Sequence, residues 1–64
     1  MINYGDFVRI DDGIDKGKIG QVVSVSNQFV TVNIGRIKTF SLYTVHKLEL
    51  KIILSLLNER GMQS

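Results

Sequence analysis

The chain has 64 residues, no cysteine and one histidine, and its eight Lys and Arg against six Asp and Glu give a formal charge of +2. At that length it is one domain, near the size at which folding buries only about 60% of the unfolded surface, and neither a disulfide framework nor a Cys/His zinc site can supplement the core. The aliphatic content argues against disorder, while a charge this mild permits nucleic-acid binding without demanding it.

The opening "MINYGDFVRI" carries no basic stretch followed by an apolar run. The most apolar window, "LELKIILSLL" at 48–57, falls far short of a membrane span of roughly 20 residues. A soluble, cytoplasmic protein is the expectation. Strand signals then dominate: residues 6–11, 19–26, 29–34 and 37–40 place β-branched or aromatic side chains near period two. Turn residues fall between them, "DDGIDKG" first, "SNQ" second and "GR" third, where Gly35 suits the positive φ of a tight two-residue hairpin. "FSLYTVHKLEL" reads as the end of the fourth strand, a helical turn begun at Ser41, and a fifth strand with Leu48 and Leu50 facing inward.

Five short antiparallel strands on tight connections suit a small, partly open barrel filled by its own side chains. The alternation assigns Val8, Ile10, Val22, Val25, Val30 and Val32 to the core, joined by Phe40, Leu42, Val45, Leu48 and Leu50. After residue 50 the period changes. Ile52, Ile53, Leu56 and Leu57 recur at helical spacing, and Gly61 suits the position after a helix end, which predicts a helix over 51–60 and a flexible tail over 61–64. So many apolar residues on a short helix either plug the open end of the barrel or form an interface, for instance in a homodimer.

The most patterned stretch is "GDFVRIDDGIDKGKIGQVVSV", residues 5–25. A phosphate-binding P-loop needs GxxxxGK followed by Ser or Thr and then a helix. Here Gly13 and Gly17 are four apart, Ile19 follows Lys18, and a strand comes next, so no nucleotide loop is expected. Gly13 and Gly17 suit turns, and Gly20 suits a bulge or a close backbone approach. Lys16 and Lys18 flank Gly17 on an exposed loop and can reach phosphate oxygens. Asp11, Asp12 and Asp15 beside them read as a solvated acidic turn that opposes anions.

Gly5, Val8, Ile10, Gly13, Lys16, Gly17, Gly20 and Val22 stand at the spacing GxxVxVxxGxxKGxxGxV. Over residues 4–31 this resembles the KOW motif of a bacterial ribosomal protein family and of the NusG transcription factor family. The resemblance implies an SH3-like, KOW-type barrel whose loops contact RNA, a ribonucleoprotein or a protein of the transcription or translation machinery. Arg9, Lys16, Gly17, Lys18, Arg36 and Lys38 are the matching candidates for that contact. Phe7, on the predicted strand face of Arg9, is a candidate stacking platform. Relative to ribosomal relatives of this type the chain is shorter and less basic.

"GDFVRI" and "LYTVHKLEL" also resemble segments of the plasmid-borne type II dihydrofolate reductases, which are SH3-like barrels of similar length. Their active-site strand carries VQIY, whereas this chain has "FSLY" at 40–43 and keeps only Tyr43. Without the glutamine amide that activity is not expected. His46 has no nucleophile beside it in the pattern, and the acidic turn lacks the terminal glutamate of an EF-hand loop, so neither catalysis, a metal nor another cofactor is anticipated.

Overall fold

The computed structural model describes residues 1–62, with side chains over 1–49 and 51–59. Five strands follow in chain order: β1 (Phe7–Ile10), β2 (Ile19–Val25), β3 (Phe29–Asn33), β4 (Ile37–Ser41) and β5 (Val45–Lys47). A 3₁₀ turn, Leu42–Thr44, joins β4 to β5, and the helix α1 (Leu50–Met62) closes the described chain. All strand pairs are antiparallel, and they form one sheet in the order β4-β3-β2-β1-β5.

The alternation read from the sequence sets the faces. β1 buries Val8 and Ile10 while Phe7 and Arg9 point outward, and β3 buries Val30 and Val32 while Phe29 and Asn33 are exposed and Thr31 is half-buried. With Val22, Phe40 and Val45 these residues make one core cluster, and Ile2, Ile34 and Leu42 pack against its edge. Leu48 is also buried. In a flat sheet of five strands the two edges stand about 19 Å apart. The four residue steps from Ser41 to Val45 could span at most about 14 Å even if fully extended, and the 3₁₀ turn over Leu42–Thr44 shortens them further. The sheet must therefore coil until the end of β4 approaches the start of β5. The Asp11 N–H donates to the Thr44 carbonyl at 2.8 Å and the Leu42 N–H to the Gln28 carbonyl at 3.0 Å, tying the turn to both sides of the coil. Among the described residues β4 and β5 do not pair with each other, so the coil stays open on that side.

Several details depart from the sequence reading. Val25 stands opposite Val30 in the β2–β3 ladder, hence on the inner face, but it lies at the end of the strand and remains 40% exposed. A register shift between Val22 and Ser24 marks a bulge in β2 that restores the inward phase after Val23. The third connection is three residues long, Ile34–Arg36, instead of two. Gly35 does adopt a positive φ of 104° there, and its N–H donates to the Asn33 side chain at 3.1 Å.

The fifth strand ends at Lys47, earlier than expected. Leu48 still donates its N–H to the Phe7 carbonyl, but the Glu49 carbonyl already accepts from Ile52 and Ile53, and Leu50 begins the helix. The alternation of "LEL" thus lost to the helical period that overlaps it. The helix also runs through Gly61 to Met62, past the end expected at residue 60. Of the tail expected over 61–64, residues 63 and 64 lie outside the described residues.

Candidate functional site

The loop joining β1 to β2, residues 11–18, is built from two consecutive turns. The Lys16 N–H donates to the Gly13 carbonyl at 3.2 Å, and the Lys18 N–H to the Asp15 carbonyl at 3.0 Å. The Gly17 N–H then closes the loop on the Ile10 carbonyl at 2.7 Å. Gly13 and Gly17 take φ of 80° and 92°, left-handed values that would strain a residue with a Cβ. Gly20 follows a different rule. A Cβ there would stand 2.6 Å from Cγ1 of Val32, so the β2–β3 approach requires glycine for space.

Folding the loop back in this way turns the Asp15 side chain under the β3–β4 hairpin, where it is 3% exposed. A carboxylate removed from water is costly unless paired. Here three cations supply the partners: Lys38 Nζ at 2.6 Å from Oδ2, Lys18 Nζ at 3.0 Å from Oδ1, and Arg36 Nη2 at 3.2 and 3.4 Å from the two oxygens. The hydrogen bond from Lys38 and then that from Lys18 hold the Asp15 carboxyl well below the usual carboxylate range. Desolvation opposes them, and the charges of Arg36 and Lys38 add to the lowering. No buried side-chain nitrogen or oxygen lacks a partner among the described residues.

The acidic turn is therefore not uniformly solvated, as its composition suggested. Asp12 is exposed and accepts from the Gly13 N–H, and Asp11 pairs with Arg9 at 2.8 Å, but Asp15 is the centre of a cluster. Burial follows from the tertiary approach of the hairpin. Only the Asp15–Lys18 pair, three residues apart across one turn, had a signal in the sequence.

The structure thus brings three of the expected basic residues together and leaves others apart. Lys18, Arg36 and Lys38 meet at Asp15 while their side chains stay between about one third and one half exposed. Lys38 Nζ also stands 5.3 Å from the centre of the Phe40 ring, within cation–π range. Lys16 protrudes from the same loop and makes no ion pair among the described residues. Gly17 serves the turn through its backbone. Arg9, across the β1–β5 ladder from the exposed His46, is neutralised by Asp11. Phe7 does share the outer face with Arg9, but it lines an apolar groove beneath α1 with Ile19, Leu48, Ile53, Leu56 and Leu57, away from the cation cluster.

Asp15 with its three cations carries a net charge of +2, Lys16 raises it to +3, and Asp12 on the rim of the adjoining cleft returns it to +2. Beside the cluster opens a cleft of about 250 Å³ whose lining includes Ile14, Asp15, Lys38, Thr39, Ser41 and Thr44. The hydroxyls of this cleft were not singled out from sequence, because Thr39, Ser41 and Thr44 sit in a strand end and a turn where such residues are ordinary. Unused donors on Arg36 and the lysines, with the Ser41 hydroxyl, can bind an anion such as a phosphate group, whereas the Thr44 hydroxyl already donates to the Ser41 carbonyl at 2.8 Å. No group of three or more His, Cys, Asp and Glu able to hold a metal is present among the described residues. No helix among them is long and apolar enough to cross a membrane. Compared with protein-family models, curated proteins and solved structures, the chain matches none of them.

Proposed function

We infer that the chain is a non-enzymatic binding module of the SH3-like, KOW-type kind that contacts RNA through the cations gathered at Asp15. The strand order β4-β3-β2-β1-β5, the 3₁₀ turn before β5 and the coiling of the sheet support the fold assignment. The observation that carries the functional reading is the convergence of Lys18, Arg36 and Lys38 from two separate loops on one carboxylate. Long cationic side chains ordinarily give up rotamer freedom when they engage phosphate. Here Asp15 has already restricted three of them, with their remaining donors toward solvent, and Lys16 extends the patch. Three cations per carboxylate keep the patch attractive to a phosphate backbone.

The expected binding is weak and salt-dependent, and it follows backbone charge more than base sequence. With four phosphate contacts on a single strand, log affinity falls with a slope of about −2.8 per log unit of salt, and replacing Lys16 and Lys18 with alanine brings it to about −1.4. Fluorescence anisotropy with a labelled oligouridylate, titrated at several salt concentrations, measures both slopes. Asp15 keeps Arg36 and Lys38 in the double variant, so the fold should persist. An isotherm that does not respond to loss of both lysines would sink the proposal.

A further inference from the structure

The helix α1 carries more apolar surface than the sheet covers. At 100° per residue, Ile52, Leu56, Ile53, Leu57 and Leu54 spread over about 200° of its circumference, twice the arc of about 100° that faces a core in an ordinary surface helix. Of these five only Ile53 is half-buried, and the others are exposed. Between α1 and the sheet lies an open apolar groove of about 250 Å³, formed by Phe7, Ile19 and Leu48 on one side and Ile53, Leu56 and Leu57 on the other. A helix of 13 residues is close to the length at which an isolated helix is marginal in water, so this one needs cover along its apolar arc.

We propose that the occupant is a second copy of this chain, two α1 helices packing antiparallel about a two-fold axis so that each enters the other's groove. The area fits. Phe7, Ile19, Ile52, Leu54, Leu56 and Leu57 are each between 37% and 57% exposed, which at roughly 200 Å² per large side chain leaves roughly 500 Å² of apolar surface. A standard interface buries about 800 Å² on each partner, of which about 56–65% is apolar, so this patch supplies the apolar share of one side. Helical spacing sets Lys51 and Glu59 about 160° and about 120° from the middle of the apolar arc, so covering that arc leaves both charges in water. A membrane surface is the poorer match, because the polar side of α1, with Lys51, Ser55, Asn58 and Glu59, lacks the basic enrichment of an interfacial helix.

Sedimentation equilibrium of the full chain tests the interface, with circular dichroism reporting the fold. The expected result is a concentration-dependent dimer. Leu57→Glu at the groove and Leu54→Glu at the edge of the arc lie outside the core cluster, and each should raise the dimer dissociation constant by at least about tenfold. Ile14→Glu is the control, since Ile14 is 90% exposed on the β1–β2 loop, and it should leave the constant unchanged. A full chain that stays monomeric at every concentration overturns the proposal. So does a dimer that neither helix variant weakens, or a monomer that instead binds phosphatidylserine vesicles through the same leucines.

Discussion

Replacing Gly20 with alanine tests how closely β2 and β3 are packed. The added Cβ would sit 2.6 Å from Val32 Cγ1 and 2.8 Å from Ile34 Cγ2, with the Asn33 carbonyl oxygen nearer still. Carbon atoms in contact prefer about 3.5–4.0 Å, so the overlap is on the order of 1 Å. A rotation of Val32 can relieve one contact. The Asn33 carbonyl cannot swing away freely, because Asn33 is held by its pairing with Gln21 in the β2–β3 ladder and with Ile37 in the β3–β4 ladder. Overpacking of this kind costs about 1–3 kcal/mol. For a domain this small, 1 kcal/mol lowers Tm by about 4–8 °C, so the expected loss is roughly 5–20 °C in a thermal melt followed by circular dichroism. In a Val32→Ala background, which carries its own core loss, Gly20→Ala should cost less than in the parent but still cost, since the carbonyl contact remains. Gly35→Ala makes the contrasting case: nothing lies within 4 Å of its added Cβ, but φ is 104°, so its cost of about 1–3 kcal/mol is backbone strain that Val32→Ala does not relieve. A Gly20→Ala protein that melts with the parent would refute the close approach of the two strands.

Asp15→Asn removes the charge around which Lys18, Arg36 and Lys38 gather. Because the folded state holds this carboxyl below its ordinary value, its contribution to stability is complete above about pH 4 and fades as acid protonates first the unfolded chain and then the folded one. The variant should melt lower than the parent at neutral pH, with the gap closing below about pH 4; a gap independent of pH would deny the carboxylate its role. Val30→Thr buries a hydroxyl among apolar side chains and should cost about 1–3 kcal/mol in urea unfolding. Val25→Thr, at the exposed end of β2, should stay within about 0.5 kcal/mol, and equal costs at the two positions would contradict the burial difference between them.

Much of the local structure was written in the chain, because it depends on side chains close in sequence. Period-two alternation placed the four long strands to within a residue or two, and Ser41 marked the 3₁₀ turn, whose Tyr43 N–H it accepts at 3.3 Å. The glycine pattern located the turns at 13 and 17 and the close approach at 20. Local signals failed where two of them overlapped. "LELKII" satisfies strand and helix periods at once, and nothing local decides between them. Pairing with β1 ends at Lys47, with one further bond at Leu48, and the helical hydrogen bonds from Glu49 onward then take over. Val25 failed for another reason, since its inward phase was right but no neighbour covers the strand end.

The candidate site divides along the same line. Composition and spacing supplied the cations, and they placed Lys16 and Lys18 on a glycine turn. They could not show that Asp15, one of three similar aspartates, would be drawn out of water while Asp12 stayed in it. That outcome depends on bringing residue 15 against residues 36 and 38, across a distance in sequence over which side-chain chemistry leaves no periodic trace. Coiling of the sheet makes the contact, and the cost of burying a lone carboxylate then requires the three cations to converge on it. The same coil leaves α1 with an apolar arc that the sheet cannot cover, a surplus countable in the sequence but assignable to a face only once the strands are in place.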